Sequence, residues 1–227
     1  MSLPLPFTPG AVIFDLDGTL VDNMALHAEA FAAFAARHGL PPLTLADRAR
    51  LDGRRNSEIF PVLFGREMPR DEWLAYETEK ESLYRELSRG RLAPLAGTTA
   101  LLDRLESARI PIAVATSAPE PNVNHTLHEI GLAGRFPVIV RGDQVGRGKP
   151  APDVFLAAAE TLGREASACL VFEDAPMGIT AARAAGMPVV AVTTSFEAGH
   201  LLGLADPPDL AVPDFLAVMR HLEFAIS

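Results

Sequence analysis

Val12-Ile13-Phe14-Asp15-Leu16-Asp17-Gly18-Thr19-Leu20 joins a short apolar run to two carboxylates and a glycine that lets the chain turn. Val12, Ile13 and Phe14 predict a buried strand, because so short a run of β-branched and aromatic residues suits the middle of a parallel sheet. Asp15 and Asp17 then fall at its carboxyl end, where open α/β sheets bind their ligands. In any continued strand geometry residues two apart point the same way, and side-by-side carboxylates repel unless a cation lies between them. A hard metal ion answers that need. A strand-capping Asp17-Gly18 turn accounts for the same residues without a ligand.

Beyond this stretch strand signals stop for about 70 residues, far longer than an ordinary crossover between parallel strands. Alanines, Leu26, Phe31 and Phe34 recur at helical spacing over 23–38, and helical patterns continue over 44–65 and 70–89, interrupted at Gly53 and at 65–69. An all-helical insertion is expected over 24–92, hinged at 21–23 and 91–96 and placed to act as a lid over the two aspartates. From Gly97 helices at 98–108, 121–130, 150–163 and 176–185 alternate with strands at 112–116, 137–140, 169–173 and 189–192. A weak strand at 210–212 and a helix from Asp214 complete the pattern. Such alternation predicts an α/β doubly wound parallel sheet, a Rossmann-like core made of residues 1–23 and 93–227.

Composition narrows the function. The 227 residues carry a net charge of −9 with no dense basic block, so nucleic acid is not an expected partner. No run of 18 apolar residues predicts a membrane span. The N-terminal ten residues lack a basic n-region and are rich in proline, which predicts a loose arm on a cytoplasmic protein. Cys169 is the single cysteine, leaving no intramolecular disulfide and no thiolate cluster, and its apolar neighbours predict burial.

Three more strand ends carry polar residues. Thr116 and Ser117 bring a hydroxyl and fresh amides, and the helix opened at Pro119 offers a phosphate-attracting N-terminus; a plain helix cap uses the same residues. Gly148-Lys149-Pro150-Ala151-Pro152-Asp153 presents a lysine suited to both a carboxylate and a phosphoryl oxygen, or simply an exposed lysine before a helix. Glu173 and Asp174 end another strand. With oxygen donors and no nearby histidine or cysteine they fit magnesium rather than zinc, although Asp174 could equally cap a helix.

Taken together, Asp-Leu-Asp-Gly-Thr, Thr116, GKPAPD and Phe-Glu-Asp-Ala-Pro-Met-Gly-Ile resemble the four motifs of the haloacid dehalogenase superfamily of phosphohydrolases. The resemblance covers almost the whole chain and is nearest the β-phosphoglucomutase-like and phosphoglycolate phosphatase-like branch. It implies Asp15 as nucleophile, forming an aspartyl phosphate, and Asp17 as acid and then base. Thr116, the Ser117 amide and Lys149 would hold the phosphoryl oxygens. It implies Mg2+ on Asp15, the Asp17 carbonyl and Asp174, with Glu173 in support.

In the insertion, His27 stands at the hinge, within reach of the site or of the lid's own packing. Leu51-Asp52-Gly53-Arg54-Arg55-Asn56 resembles the branch's specificity loop, but Asn56 stands where the mutase carries an arginine, which counts against mutase activity. Arg54 or Arg55 would contact substrate or remain on the surface. Lys80, with Tyr84 a turn later, resembles a phosphate-contacting lysine or pairs with Glu77 or Glu81. Trp73 and Tyr76 are expected in the insertion's core. The expected activity is magnesium-dependent hydrolysis of a small, sugar-like phosphate by a monomer or homodimer. The alternatives are a hexose phosphate mutase, or a regulatory protein that binds phosphate without turnover.

Overall fold

Strands of three to five residues with scarcely a polar side chain need cover on both faces, and the sheet is built to give it. The computed structural model describes residues 8–221. β1 (Ala11–Phe14), β2 (Ile112–Thr116), β3 (Val138–Arg141), β4 (Cys169–Glu173), β5 (Val189–Val192) and β6 (Leu210–Val212) form one parallel sheet in the order β3-β2-β1-β4-β5-β6. The two-residue side-chain period sorts the strands onto two cores. Val12, Phe14, Val114, Leu170 and Phe172 face α5 (Thr98–Ser107), α6 (Glu120–Glu129) and α10 (Phe215–His221). The Phe14 ring stacks on Phe172 at 5.2 Å, and Phe215 meets both edge-on. Ile13, Ala113, Ala115 and Val171 face α7 (Asp153–Thr161) and α8 (Pro176–Ala184), the alanines allowing close approach. Cys169 is buried on this side, as its neighbours predict.

The order turns about β1, which is flanked by β2 and β4, with Phe14 level with Val114 on one side and Phe172 on the other. This reversal opens a crevice beyond the carboxyl ends of β1 and β4. The aspartates after β1 enter it.

Four helices follow β1: α1 (Met24–Arg37), α2 (Leu45–Leu51), α3 (Asn56–Phe64) and α4 (Arg70–Ser88). Leu26, Ala30, Phe34, Phe60, Leu83 and Tyr84 form a cluster of their own, with Trp73 and Tyr76 against it. A reciprocal Thr44–Asp47 capping box starts α2. The connections into and out of these helices run side by side, Val21 bridging Pro94 and the Leu95 amide donating to the Leu20 carbonyl at 2.9 Å.

Three details depart from the sequence reading. The helix expected from 150 starts at Asp153, because a residue before proline is disfavoured in helical geometry and Pro152 fixes Ala151 outside the helix. β3 is displaced by one residue, and a short α9 (Ala198–Leu202) lies where none was expected; five residues with a glycine carry too little periodicity to read. The N-terminal arm lies outside the described residues as far as position 7, whereas Gly10 already donates to the Ala168 carbonyl at 2.8 Å.

Candidate active site

Three strand ends and one loop meet in the crevice. The Asp15 amide continues the sheet by donating to the Phe172 carbonyl at 2.9 Å, which sets its carboxylate beside the residues that end β4. Oxygens of Asp15, Glu173 and Asp174 lie within 4.8 Å of one another, and all three residues are buried. Lys149 is 1% exposed. Its ammonium donates to Asp15 Oδ1 at 2.5 Å, to Glu173 Oε1 at 2.8 Å and to the Ala115 carbonyl at 3.3 Å. Burial opposes that charge, but the two carboxylates outweigh it and keep the lysine protonated.

Glu173 is fully engaged. Its second oxygen accepts the amides of Asp174 and Ala175, each at 2.7 Å, so it links Lys149 to the first turn of α8. Gly178 makes room for it: a Cβ there would lie 1.6 Å from Glu173 Oε1. Asp174 accepts from the hydroxyls of Thr19, at 3.3 Å, and Ser195. It presses against Gly18, whose φ of 83° and lack of a Cβ are both required, because a Cβ would sit 2.1 Å from Asp174 Oδ2.

Three carboxylates and one ammonium leave two negative charges in a buried space. Burial, helped by the Glu173 and Asp17 charges, pushes Asp15 up to about 8 in spite of Lys149. Burial, Glu173 and Asp15 likewise push Asp174 well above the carboxylate range. A divalent cation with oxygen ligands removes this conflict, and the donor set fits one.

Asp17 is held apart from this cluster. Its Oδ1 accepts from Asn23 Nδ2 at 2.7 Å and faces His27 Nε2 at 3.6 Å. Burial works against its charge, but His27, Asn23 and Lys80 prevail and hold its pKa below the usual value. Lys80 donates to His27 Nδ1 at 3.0 Å; an ammonium has no lone pair, so the ring proton lies on Nε2, toward Asp17. The imidazole stacks on Tyr84 at 3.8 Å, and the Tyr84 hydroxyl joins Asn23 and Thr126.

The other sequence-selected residues have definite places. The Thr116 hydroxyl accepts the Ala118 amide at 3.0 Å. The Ser117 hydroxyl donates to the Gly53 carbonyl at 2.6 Å, leaving its amide as the group that could face an anion. Lys80 lines the cavity and does not extend into solvent. It is 2% exposed, and besides His27 its ammonium meets Glu81 at 2.9 Å and the Phe31 ring at 4.2 Å. Arg54 lines the cavity, whereas Arg55 turns to Glu58 and to the carbonyls of Gly142 and Val145. Asn56 donates to Glu81 at 2.7 Å.

The sequence reading missed Asn23, Arg48, Ser195 and Asn122, which lines the cavity and donates to Glu81 Oε2 at 2.5 Å. Asn23 stands where a helix cap is expected, yet its side chain serves Asp17 instead. The four-residue spacing of Arg48 and Asp52 was a readable signal for their pair; nothing local marks Ser195.

A family model described as haloacid dehalogenase-like hydrolase matches residues 12–192. This chain belongs to that family. Among its relatives, the phosphorylated carbohydrates phosphatase of Thermotoga maritima is 33% identical over 218 residues, covering 93% of this chain and 99% of the relative. Hexitol phosphatase A of Escherichia coli is 35% identical over 190 residues, covering 83% and 85%. The crystal structure of β-phosphoglucomutase from Clostridium difficile matches with a TM-score of 0.80 at 25% identity, over 94% of this chain and 96% of that one. As a haloacid dehalogenase-type enzyme, the protein is a phosphoric monoester hydrolase. No helix among the described residues is long and apolar enough to cross a membrane.

Proposed function

We propose that the enzyme is a magnesium-dependent phosphatase of small sugar-like phosphates that works through an aspartyl phosphate. In this reading residues 24–92 are a cap over a core of 1–23 and 93–227. The observation that carries it is the division of labour between two neighbouring aspartates, one clamped by Lys149 inside an acidic cluster and the other held by Asn23 and His27.

Asp15, Asp174 and the Asp17 backbone carbonyl would hold Mg2+, with Glu173 fixing the cluster from behind; the ion supplies positive charge that favours the Asp15 anion and draws the phosphate to it. An Asp15 carboxylate oxygen bonds to phosphorus as the bond from phosphorus to the ester oxygen breaks. Asp17 gives its proton to the departing alkoxide. It then takes one from the water that attacks phosphorus, releasing inorganic phosphate and the Asp15 carboxylate. The depressed pKa of Asp17 suits the second role, and the approach of a phosphate dianion raises it toward the first. Lys149, the Thr116 hydroxyl and the Ser117 amide would hold the phosphoryl oxygens. His27 positions Asp17, Lys80 positions His27, and Arg54 faces the substrate.

The test is release of inorganic phosphate from a panel of phosphomonoesters with and without magnesium, by the wild type and by Asp15→Asn. Metal-dependent release that the variant loses is expected. Absence of release from every ester would overturn the reading and favour a regulatory role. The likeness to a mutase structure supports one alternative, in which a hexose phosphate is isomerised with no net phosphate; the bonding of Asn56 to Glu81 weighs against it.

A further inference from the structure

The cavity between the helices and the strand ends measures about 150 Å³. On the helical side its lining is apolar at Met24, Ala28, Phe31, Ala32, Pro42 and Leu43. Around the whole cavity Asp15, Asp17, Asp52, Glu81, Glu173 and Asp174 face three cations, Arg48, Arg54 and Lys80, an excess of three negative charges. Lys149 behind Asp15 and one divalent ion cancel that excess. The sum is then neutral before the phosphoryl group of a substrate enters, so no surplus positive charge remains for a second anion.

Each cation on the helical side already has an acceptor. Lys80 is held by Glu81, His27 and the Phe31 ring. Arg48 donates from Nε at 3.1 Å and Nη2 at 2.8 Å to Asp52 Oδ2. Arg54 donates to the Arg50 carbonyl at 3.0 Å and lies 4.0 Å from Glu58. A charge taken from water into such a space is costly unless it is paired.

We infer that the Arg48–Asp52 pair is a specificity determinant that makes this wall neutral, so that the site accepts monophosphates of uncharged alcohols and rejects esters carrying a second anionic group. The inference rests on the phosphatase reading above. It names the group that could be converted: with Asp52 neutral, Arg48 becomes a cation available to a carboxylate or second phosphate.

The experiment measures kcat/KM of the full chain with magnesium on matched esters, glycerol 1-phosphate against 3-phosphoglycerate and fructose 1-phosphate against fructose 1,6-bisphosphate. The member of each pair that lacks a second anionic group is expected to be favoured by about ten- to a hundredfold, the value of one charge-assisted hydrogen bond. Asp52→Asn is expected to narrow that ratio about tenfold, mainly through KM of the doubly anionic ester. Adding Arg48→Gln to it should restore the wild-type ratio, which a merely damaged loop would not do. Equal turnover of both members by the wild type overturns the inference and leaves the phosphatase reading standing. An unchanged ratio in Asp52→Asn overturns the assignment to this pair, and Asp52→Ser serves if the first variant does not fold. Release from no ester at all removes the phosphatase reading itself.

Discussion

Replacing Gly178 with alanine sets two effects against each other, and distances settle the sign. Gly178 lies in the first turn of α8 with no positive φ, and alanine in a helix is worth about 1 kcal/mol over glycine. A Cβ at this position would lie 1.6 Å from Glu173 Oε1 and 2.0 Å from its Cδ, so the carboxylate must leave. It would abandon Lys149 at 2.8 Å and the Asp174 and Ala175 amides at 2.7 Å each. Each hydrogen bond to a charged group contributes about 1.5–3 kcal/mol, so loss of two of the three, less the helix gain, leaves a destabilisation of about 2–5 kcal/mol. The urea midpoint followed by circular dichroism should fall accordingly. Phosphate release should fall with it, because Lys149 loses Glu173, the anion that helps hold it beside Asp15. Gly199 in α9 is the control: it is exposed, no atom lies within 4 Å of its would-be Cβ, and alanine there should stabilise by up to about 1 kcal/mol. A Gly178→Ala enzyme with an unchanged or higher midpoint and wild-type kcat/KM would refute the reasoning.

Two more outcomes follow from the helical side of the site. Burial opposes the Glu81 charge, but Lys80, His27 and Asn56 hold its pKa below the usual 4.5. A depressed carboxylate stabilises fully above its unfolded pKa and loses that contribution as pH falls through the folded value. Glu81→Gln, which leaves Lys80 buried without its anion, should therefore cost about 3–5 kcal/mol at pH 7, with a gap to wild type that shrinks as the pH drops from 4.5. A gap that stays constant in denaturation curves taken from neutral to acid pH would refute this. Ser117→Ala removes the hydroxyl that ties the Gly53 carbonyl at 2.6 Å. One neutral hydrogen bond is worth about 0.5–1.5 kcal/mol, so steady-state kinetics should show KM raised about two- to tenfold with kcat little changed. A lower kcat at constant KM would instead place that hydroxyl on the reacting phosphate.

The strands, the doubly wound sheet and the residues at its rim were legible because each depends on a short pattern. Val-Ile-Phe before Asp15, the apolar run before Glu173 and the glycine and prolines around Lys149 carry their geometry within a few residues. Once such strands lie parallel, their carboxyl ends share one edge, so Asp15, Thr116, Lys149, Glu173 and Asp174 meet although they span 159 positions. What each side chain does with its neighbours was decided only in three dimensions. Lys80 reads as a phosphate-contacting lysine or as a surface lysine paired with Glu77 or Glu81; it does pair with Glu81, but packing α4 on α1 buries it against His27. Asn23 reads only as part of a hinge at the start of a helix, yet its amide donates to Asp17 and to the hydroxyl of Tyr84, 61 residues later. Ser195 carries no local signal, since its importance lies in a contact with Asp174, and Gly178, though part of the motif that follows β4, shows its role only in the room it leaves Glu173. The sequence by itself determined which chemical groups reach the rim of the sheet, because strand period and turn chemistry are local; the tertiary structure alone decided which charges are paired and which remain to meet a substrate, because pairing is set by distances that the sequence order does not contain.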